Sequence, residues 1–338
     1  MVDYATTTGT TNKAAVSQRT NTYAEASMLA HGQPYSVLGR FALTKPLPKN
    51  KADNMTFRRP KPFPPVNGSP LTEGVTPTAR KMEYENVVVT LGQYGDLVQI
   101  TDQVEDLVED PVMNDAYMLC GEQAMHTKEK VCWGAIIGGT NVFFSNGATR
   151  GAVNAVLTTG LQRKVTRSLK NQLAMKVTKI ENSTPNYGSE QIDAAFIAVC
   201  HTDVEADIRE MVGFVPVEKY GTAKALPYEI GKVEDVRYVA SALLNPFIGA
   251  GSTTIANVEN NGTNVNVYPV IYFGKEAFAD VPLKGRGAIE PSIVPVGQKD
   301  KSDPLGQRGF VGWKAYYASV ILNHSWLIRC EVAVSSLG

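Results

Sequence analysis

Hydrophobic and polar positions divide the chain into segments of unlike period. Residues 1–50 are polar and Thr/Ala-rich with little periodicity, the pattern of an extended arm that is loosely ordered unless another surface holds it. DNMTFRR (53–59) is a short strand candidate. The proline-dense run PKPFPPVNGSPLTEGVTP (60–77) forbids helix and removes sheet donors, so it reads as a stiff loop. Beyond it, KMEYENVVVTLGQYGDLVQI (81–100) is rich in Val, Tyr and Ile. Val87, Val89 and Leu91 alternate as a strand requires, and Gly92 and Gly95 permit a bend. Two strands around a stiff loop make a protruding hairpin. A two-stranded ribbon alone is marginal in water, so it implies a partner surface on its own body or on a neighbour.

A helical period follows. Asp102 with Glu105 three residues on gives an N-cap with an acidic N3 position, and Asp110-Pro111 restarts the helix with proline at its first position. Nothing breaks the helix from Pro111 to about Gly138, where Gly138-Gly139 stops it. Met113, Tyr117, Cys120, Ala124 and Val131 lie near one stripe. At ~1.5 Å per residue this spine is about 40 Å long. A second helix is predicted over 159–174, with Leu161, Val165, Leu169 and Leu173 on one face and Arg163, Lys164, Arg167 and Lys170 on the others. Strands are predicted at 175–180, 194–200, 233–241 and 267–274, with Asp203 capping a helix that reaches Met211. Residues 251–264 read as a mobile surface loop. The aromatic, β-branched ending (313–335) reads as a buried strand or strand pair.

Composition narrows the function classes. The chain has 338 residues and is 43% apolar and 20% charged, ordinary for a globular protein of about two domains or one large one. Lys plus Arg and Asp plus Glu both number 33, which argues against a nucleic-acid binder with one dominant basic field. The balance is not local. Residues 1–81 carry eleven basic and four acidic residues, a net of +7; residues 82–138 carry two and eleven, a net of −9. That asymmetry is either an unevenly coloured solvated surface or a complementarity between copies, in which one copy's basic part meets another's acidic part. The basic face of the 159–174 helix likewise reads as solvated, or as turned toward a polyanion or an acidic neighbour. No run of about 18 apolar residues occurs, and the N-terminus lacks a signal-peptide core, so a cytosolic chain with no membrane span is expected.

The search for chemistry is nearly empty. His31, His126, His201 and His324 form no cluster with metal-ligand spacing, and no nucleophile elbow or phosphate-binding glycine loop is present. Cys120, Cys132, Cys200 and Cys330 lie far apart and read as free, buried thiols. The carboxylates at 102–110 suit the positive end of a helix dipole, and no base or nucleophile accompanies them. No catalytic residue, metal or cofactor is assigned.

Arm, hairpin, spine helix and mixed body without an active site resemble the major capsid proteins of tailed bacteriophages with the HK97-like fold, most closely those of short-tailed phages. The resemblance is carried by TARKMEYENVVVTLGQYGDLVQITD (78–102), VYPVIYFGKEAFADVPLKG (267–285) and DPLGQRGFVGWKAYYASVILNHSWLIRCE (303–331). It implies an α+β fold with an N-terminal arm (1–50), an extended β-hairpin loop (51–98), a peripheral domain with the spine helix (99–180), an axial domain (181–285) and C-terminal strands returning to the peripheral domain (286–338). It implies hexamers and pentamers forming an icosahedral shell around double-stranded DNA in the virion, after assembly in the bacterial cytoplasm. Portal, scaffolding and decoration proteins are the implied partners besides the chain itself. In that setting Arg58, Arg59, Lys61, Arg80 and Lys81 of the loop are candidates to pair with Glu105, Asp106, Glu109 and Asp110 of an adjacent subunit. The rival readings are an encapsulated nanocompartment shell, a tail-tube protein, and an enzyme with an unrecognised site in 181–264.

Overall fold

A computed structural model describes residues 37–66, 71, 73–107, 112–181, 189–220, 225–284, 289–299 and 303–337. The chain begins with β1 (Leu43–Thr44), β2 (Asn54–Pro60), β3 (Tyr84–Thr90) and β4 (Gly92–Thr101), then helices α1 (Asp102–Leu107) and α2 (Val112–Ile136). Next come β5 (Val142–Phe144), α3 (Thr159–Asn171), β6 (Val177–Glu181), β7 (Ser189–Cys200), α4 (Glu205–Arg209) and β8 (Phe214–Pro216). The rest is strand: β9 (Glu229–Val233), β10 (Val236–Ala240), β11 (Tyr268–Phe273), β12 (Phe278–Pro282), β13 (Glu290–Val294), β14 (Arg308–Ile321) and β15 (Leu327–Val332).

The strands form an eight-stranded sheet in the order β5-β15-β11-β7-β10-β9-β8 with β6 also on β7, a five-stranded sheet in which β14 pairs β12, β13 and β4 while β1 pairs β12, and the β2–β3 hairpin. In the larger sheet β10 and β11 are buried along their whole length, because both faces are covered. Phe196, Ala198, Tyr238, Val270, Tyr272 and Ile328 face Leu161, Val165 and Leu169 of α3. The alternate residues Ile197, Val199, Val239, Ile271 and Phe273 face Cys132, Trp133 and Ile136 of α2 together with Val37, Leu38 and Phe41. A buried polar chain seats α3: Gln162 donates to the Val233 carbonyl (2.8 Å) and accepts from Tyr238 (2.9 Å), whose hydroxyl also meets that of Tyr272 (2.9 Å). Burial pushes both phenols well up, so they stay protonated donors.

In the smaller sheet β14 pairs β4 over ten positions, from Arg308 opposite Thr101 to Tyr317 opposite Gly92. The first half of α2 lies on it, with Ala116, Cys120, Ala124 and Met125 against Ile100, Val311, Trp313 and Ala315. Over its last turns the buried face rotates to Glu129, Cys132, Trp133 and Ile136, where α2 leaves the smaller sheet for the larger. Val131 is therefore only half-buried, and the stripe expected for it does not run straight. Buried charge ties the middle of the chain to β15. Glu331, fully buried on β15, takes both Arg150 contacts at 2.7 Å and Arg329 at 2.8 Å, and Arg150 stacks 3.6 Å over Phe247. Such a triad fixes which groups meet rather than adding much net stability.

Five sequence expectations change. The 81–100 strand is two strands, because the chain turns out of the hairpin at Leu91 to join β14. The 159–174 helix ends at Asn171: Leu173 adopts φ 54°, its N–H bonds the Lys170 carbonyl and the Ala174 N–H bonds the Leu169 carbonyl. This closing turn ordinarily uses glycine at the left-handed position, so leucine there hides the stop and leaves its side chain 82% exposed. Within 233–241, Glu234 and Asp235 are a two-residue turn between β9 and β10. Asp203 is not a helix cap: His201 accepts from the Asp203 N–H, and the Asp203 carboxylate accepts from Tyr268. The 251–264 loop is pinned, with Val258 and Val265 buried and bridges from Val258 to Ser335 and Asn260 to Val265. The helix restart at Asp110-Pro111 lies outside the described residues.

The β4–β14 ladder depends on two glycines. A Cβ on Gly95 would stand 2.6 Å from the Trp313 carbonyl oxygen, and one on Gly312 would stand 2.6 Å from that of Asp96. Gly312→Val should therefore push the strands apart and lower stability by about 1–3 kcal/mol, read as a lower urea midpoint with an unchanged slope.

Candidate assembly surface

The hairpin keeps seven cross-strand rungs, from Asn54 opposite Thr90 to Pro60 opposite Tyr84. Its root is fastened to the body. Val89, with Met55, Phe57 and Leu91, packs on Leu47, Val281 and Ala318 at the ends of β12 and β14. The alternation at Val87, Val89 and Leu91 points these three inward, while Val88 is exposed. Beyond the root a groove of about 480 Å³ separates hairpin and body, lined by Arg59, Glu85 and Val87 on one side and by Ala135, Gly138 and His324 on the other. Past it the loop stands free, exposing Phe63, Val66, Leu71, Val75 and Met82.

The five loop cations are largely engaged within their own copy. Arg59 and Glu85 are direct cross-strand partners and meet at 2.5 Å, and Lys61 meets Glu83 at 3.0 Å. The hydrogen bond and charge of Arg59 hold the Glu85 carboxyl below its ordinary range. Arg80 donates to the Pro64 carbonyl (2.8 Å), and Arg58 lies 4.3 Å over the Tyr84 ring. Lys81 is exposed. Among the proposed acidic partners, Asp106 is exposed on α1; Glu109 and Asp110, and the side chain of Glu105, lie outside the described residues. No ion pair among the described residues joins the basic set to Asp106 in the same copy. The internal partners Glu83 and Glu85 escaped the sequence reading, although opposite-charge spacing around a hairpin was their available signal.

A second feature was missed altogether. Leu97 and Val98 on β4, Val104 and Leu107 on α1, and Met118 and Leu119 on α2 are exposed, Leu107 by 82%. Met118 and Leu119 lie off the Ala116, Cys120 and Ala124 stripe, so their period marks them as outside the core. With the loop tip they add up to far more exposed apolar surface than scattered single residues account for. Asp96 anchors this region, accepting from Gln123 of α2 (2.5 Å), whose other amide atom accepts from Trp313 (3.0 Å). The Gln123 bond, with one from the Leu97 N–H, lowers the Asp96 carboxyl.

The chemistry-bearing side chains assemble nothing else. All four cysteines are free and buried, and burial raises every thiol. His126 faces Glu122 at 3.8 Å, and His201 sits against Asp203. His31 lies outside the described residues. Among the described residues no three metal-ligating side chains converge, and no helix is long and apolar enough to cross a membrane. The basic face of α3 is matched by the β9–β10 turn: Arg163 pairs Glu234 (2.6 Å), while Lys170 (2.5 Å) and Lys176 (3.2 Å) pair Asp235. Arg163 and Lys170 are thus paired within the copy, while Lys164 and Arg167 are exposed.

Comparison with known proteins places this geometry. Residues 84–330 match the family described as phage capsid protein. A curated major capsid protein of Pseudomonas phage KPP21 is 22% identical over 174 residues, covering 47% of this chain and 44% of that protein, so the chain aligns with less than half the length of that relative. The capsid of Ralstonia phage GP4 superposes with a TM-score of 0.66 at 11% identity, over 90% of this chain and 93% of that one. The capsid of cyanophage P-SCSP1u gives 0.58 at 12%, over 89% of each. An encapsulin of Synechococcus elongatus gives 0.52 at 9%, over 89% of each, so the shared fold extends beyond phages. At such identities the superpositions speak for the HK97-like fold, and the family match decides between its users: this chain belongs to the phage capsid protein family.

Proposed function

We propose that the chain is the shell-building subunit of a phage virion, without catalytic activity, and that it closes into hexamers and pentamers of an icosahedral shell around double-stranded DNA. The exposed apolar set running from the loop tip through β4 to α1 and α2 carries this reading, because a lone copy leaves it in water. Heterologous contacts that close into rings give the capsomers, and small changes of angle let one chain make both kinds. The five-stranded sheet with α2 supports the peripheral assignment, and strands β7 to β11 support an axial domain within 181–285. Portal, scaffolding and decoration proteins are the further partners of this reading, and the host cytoplasm its place of assembly. The encapsulin likeness makes a nanocompartment shell the second reading, disfavoured by the family match.

Charge acts on register. With Arg59 and Lys61 engaged by Glu85 and Glu83, the cations best able to reach Asp106 and its acidic neighbours on an adjacent copy are Arg58, Arg80 and Lys81. Each exposed pair contributes about 0–1 kcal/mol, so the apolar contacts supply most of the cohesion.

Purified chain, in size exclusion followed by electron microscopy, should form megadalton, roughly spherical particles; a discrete small oligomer or a tube would reject the shell. Charge reversal at Arg58→Glu with Lys81→Glu should reduce particle yield at least several-fold while the isolated chain unfolds at an unchanged denaturant midpoint. Leu107→Asp with Leu119→Asp should abolish particles and raise the soluble unassembled fraction. Those two leucines are exposed in the subunit, so its own stability should move by no more than about 0.5 kcal/mol.

A further inference from the structure

Glu129 lies in α2 between Lys128 and Lys130, where the letters suggest a solvated face, yet it is 2% exposed. Its Oε1 accepts from the backbone N–H groups of Val37 (3.2 Å) and Leu38 (2.8 Å). These open the short 3-10 turn Leu38–Arg40, which gets no side-chain cap from its own N-cap residue, Val37. A carboxylate 91 residues further along the chain therefore does the capping, at the point where residues 1–36 join the body. The groups facing it come from every element packed there: Arg40 from the turn, Asp280 from β12, Tyr317 from β14, and Lys128 and Cys132 from α2. Asp280 is 1% exposed, and the Tyr317 hydroxyl faces it. Enclosure beside Asp280 makes it costly to ionise Glu129.

We propose that Glu129 is a proton-operated latch: neutral, it holds the Val37–Phe41 segment against α2, and ionised, it lets that segment go. Oε1 accepts from the two N–H groups in either form. The difference lies in Oε2, which in the neutral form carries the proton and in the ionised form leaves Glu129 charged in a buried site beside Asp280. Burial pushes the Glu129 carboxyl up to about 7, against the opposing pull of the Leu38 and Val37 N–H groups and of Lys128. The sign follows from linkage. Between the ordinary value of 4.5 and about 7 the seated form binds a proton that the released form does not. The hold is complete below that window, weakens as pH rises through it, and is level above.

Hydrogen exchange of the full chain, followed by mass spectrometry on peptides spanning 37–44 and corrected for intrinsic rates, tests the latch. Protection should fall between pH 5 and 7, by up to about tenfold per pH unit, then level off, while a peptide over β11 keeps a flat profile. Glu129→Gln, which retains the acceptor and cannot ionise, should stay protected throughout. Asp280→Asn removes the charge that, beside burial, raises Glu129, so the fall should be smaller and end at lower pH. A flat wild-type profile overturns the latch, as does the same fall in Glu129→Gln. If that variant fails to fold, an unchanged profile in Asp280→Asn overturns it.

Discussion

Ten rungs of antiparallel pairing between β4 and β14 hold the molecule's working parts in place. The chain enters β4 directly from the hairpin and leaves it directly into α1, which precedes the spine. Hairpin root, spine start and smaller sheet therefore take their positions from one long strand more than 200 residues away in sequence. The two glycines that let the backbones approach, Gly95 and Gly312, lie on opposite strands of that ladder. Everything that projects from the body is aimed from there.

The spine has a second duty. Its first half covers the smaller sheet and its second half covers one face of the larger sheet, so a single rigid rod couples two cores. β14 and β15 repeat the coupling: only five residues separate them, yet they belong to different sheets. The body is tied at two places, while the hairpin is tied at its root. Rigid body and outstretched loop suit a chain whose outer contacts are made by other copies of itself.

Much of this was legible because it is local. Alternation around Val87, Val89 and Leu91 gave the hairpin, an unbroken run gave the spine, and fourfold leucine spacing gave α3. What failed was what periodicity does not encode. Leu173 closes a helix in a backbone conformation that glycine usually supplies, so no letter marks the stop. Glu129 is flanked by lysines, yet it is buried where a segment some ninety residues earlier folds onto it. Glu85 and Glu83 as partners of Arg59 and Lys61 were hidden as well, because pairing across the hairpin depends on register, which alternation alone leaves open. Family resemblance supplied the global arrangement that the local signals lacked, and the matched span of 84–330 contains its three motifs except for the first six residues of the earliest and the last residue of the third.

The late position of β14 has a consequence for synthesis. Hairpin and spine are translated in the first 136 residues, but the strand that seats them ends at Ile321. A nascent chain on the ribosome exposes its adhesive segments without the scaffold that orients them, so it cannot dock correctly on finished copies. The ladder that aims those segments can form only once β14 has left the ribosome, a delay that separates manufacture from construction.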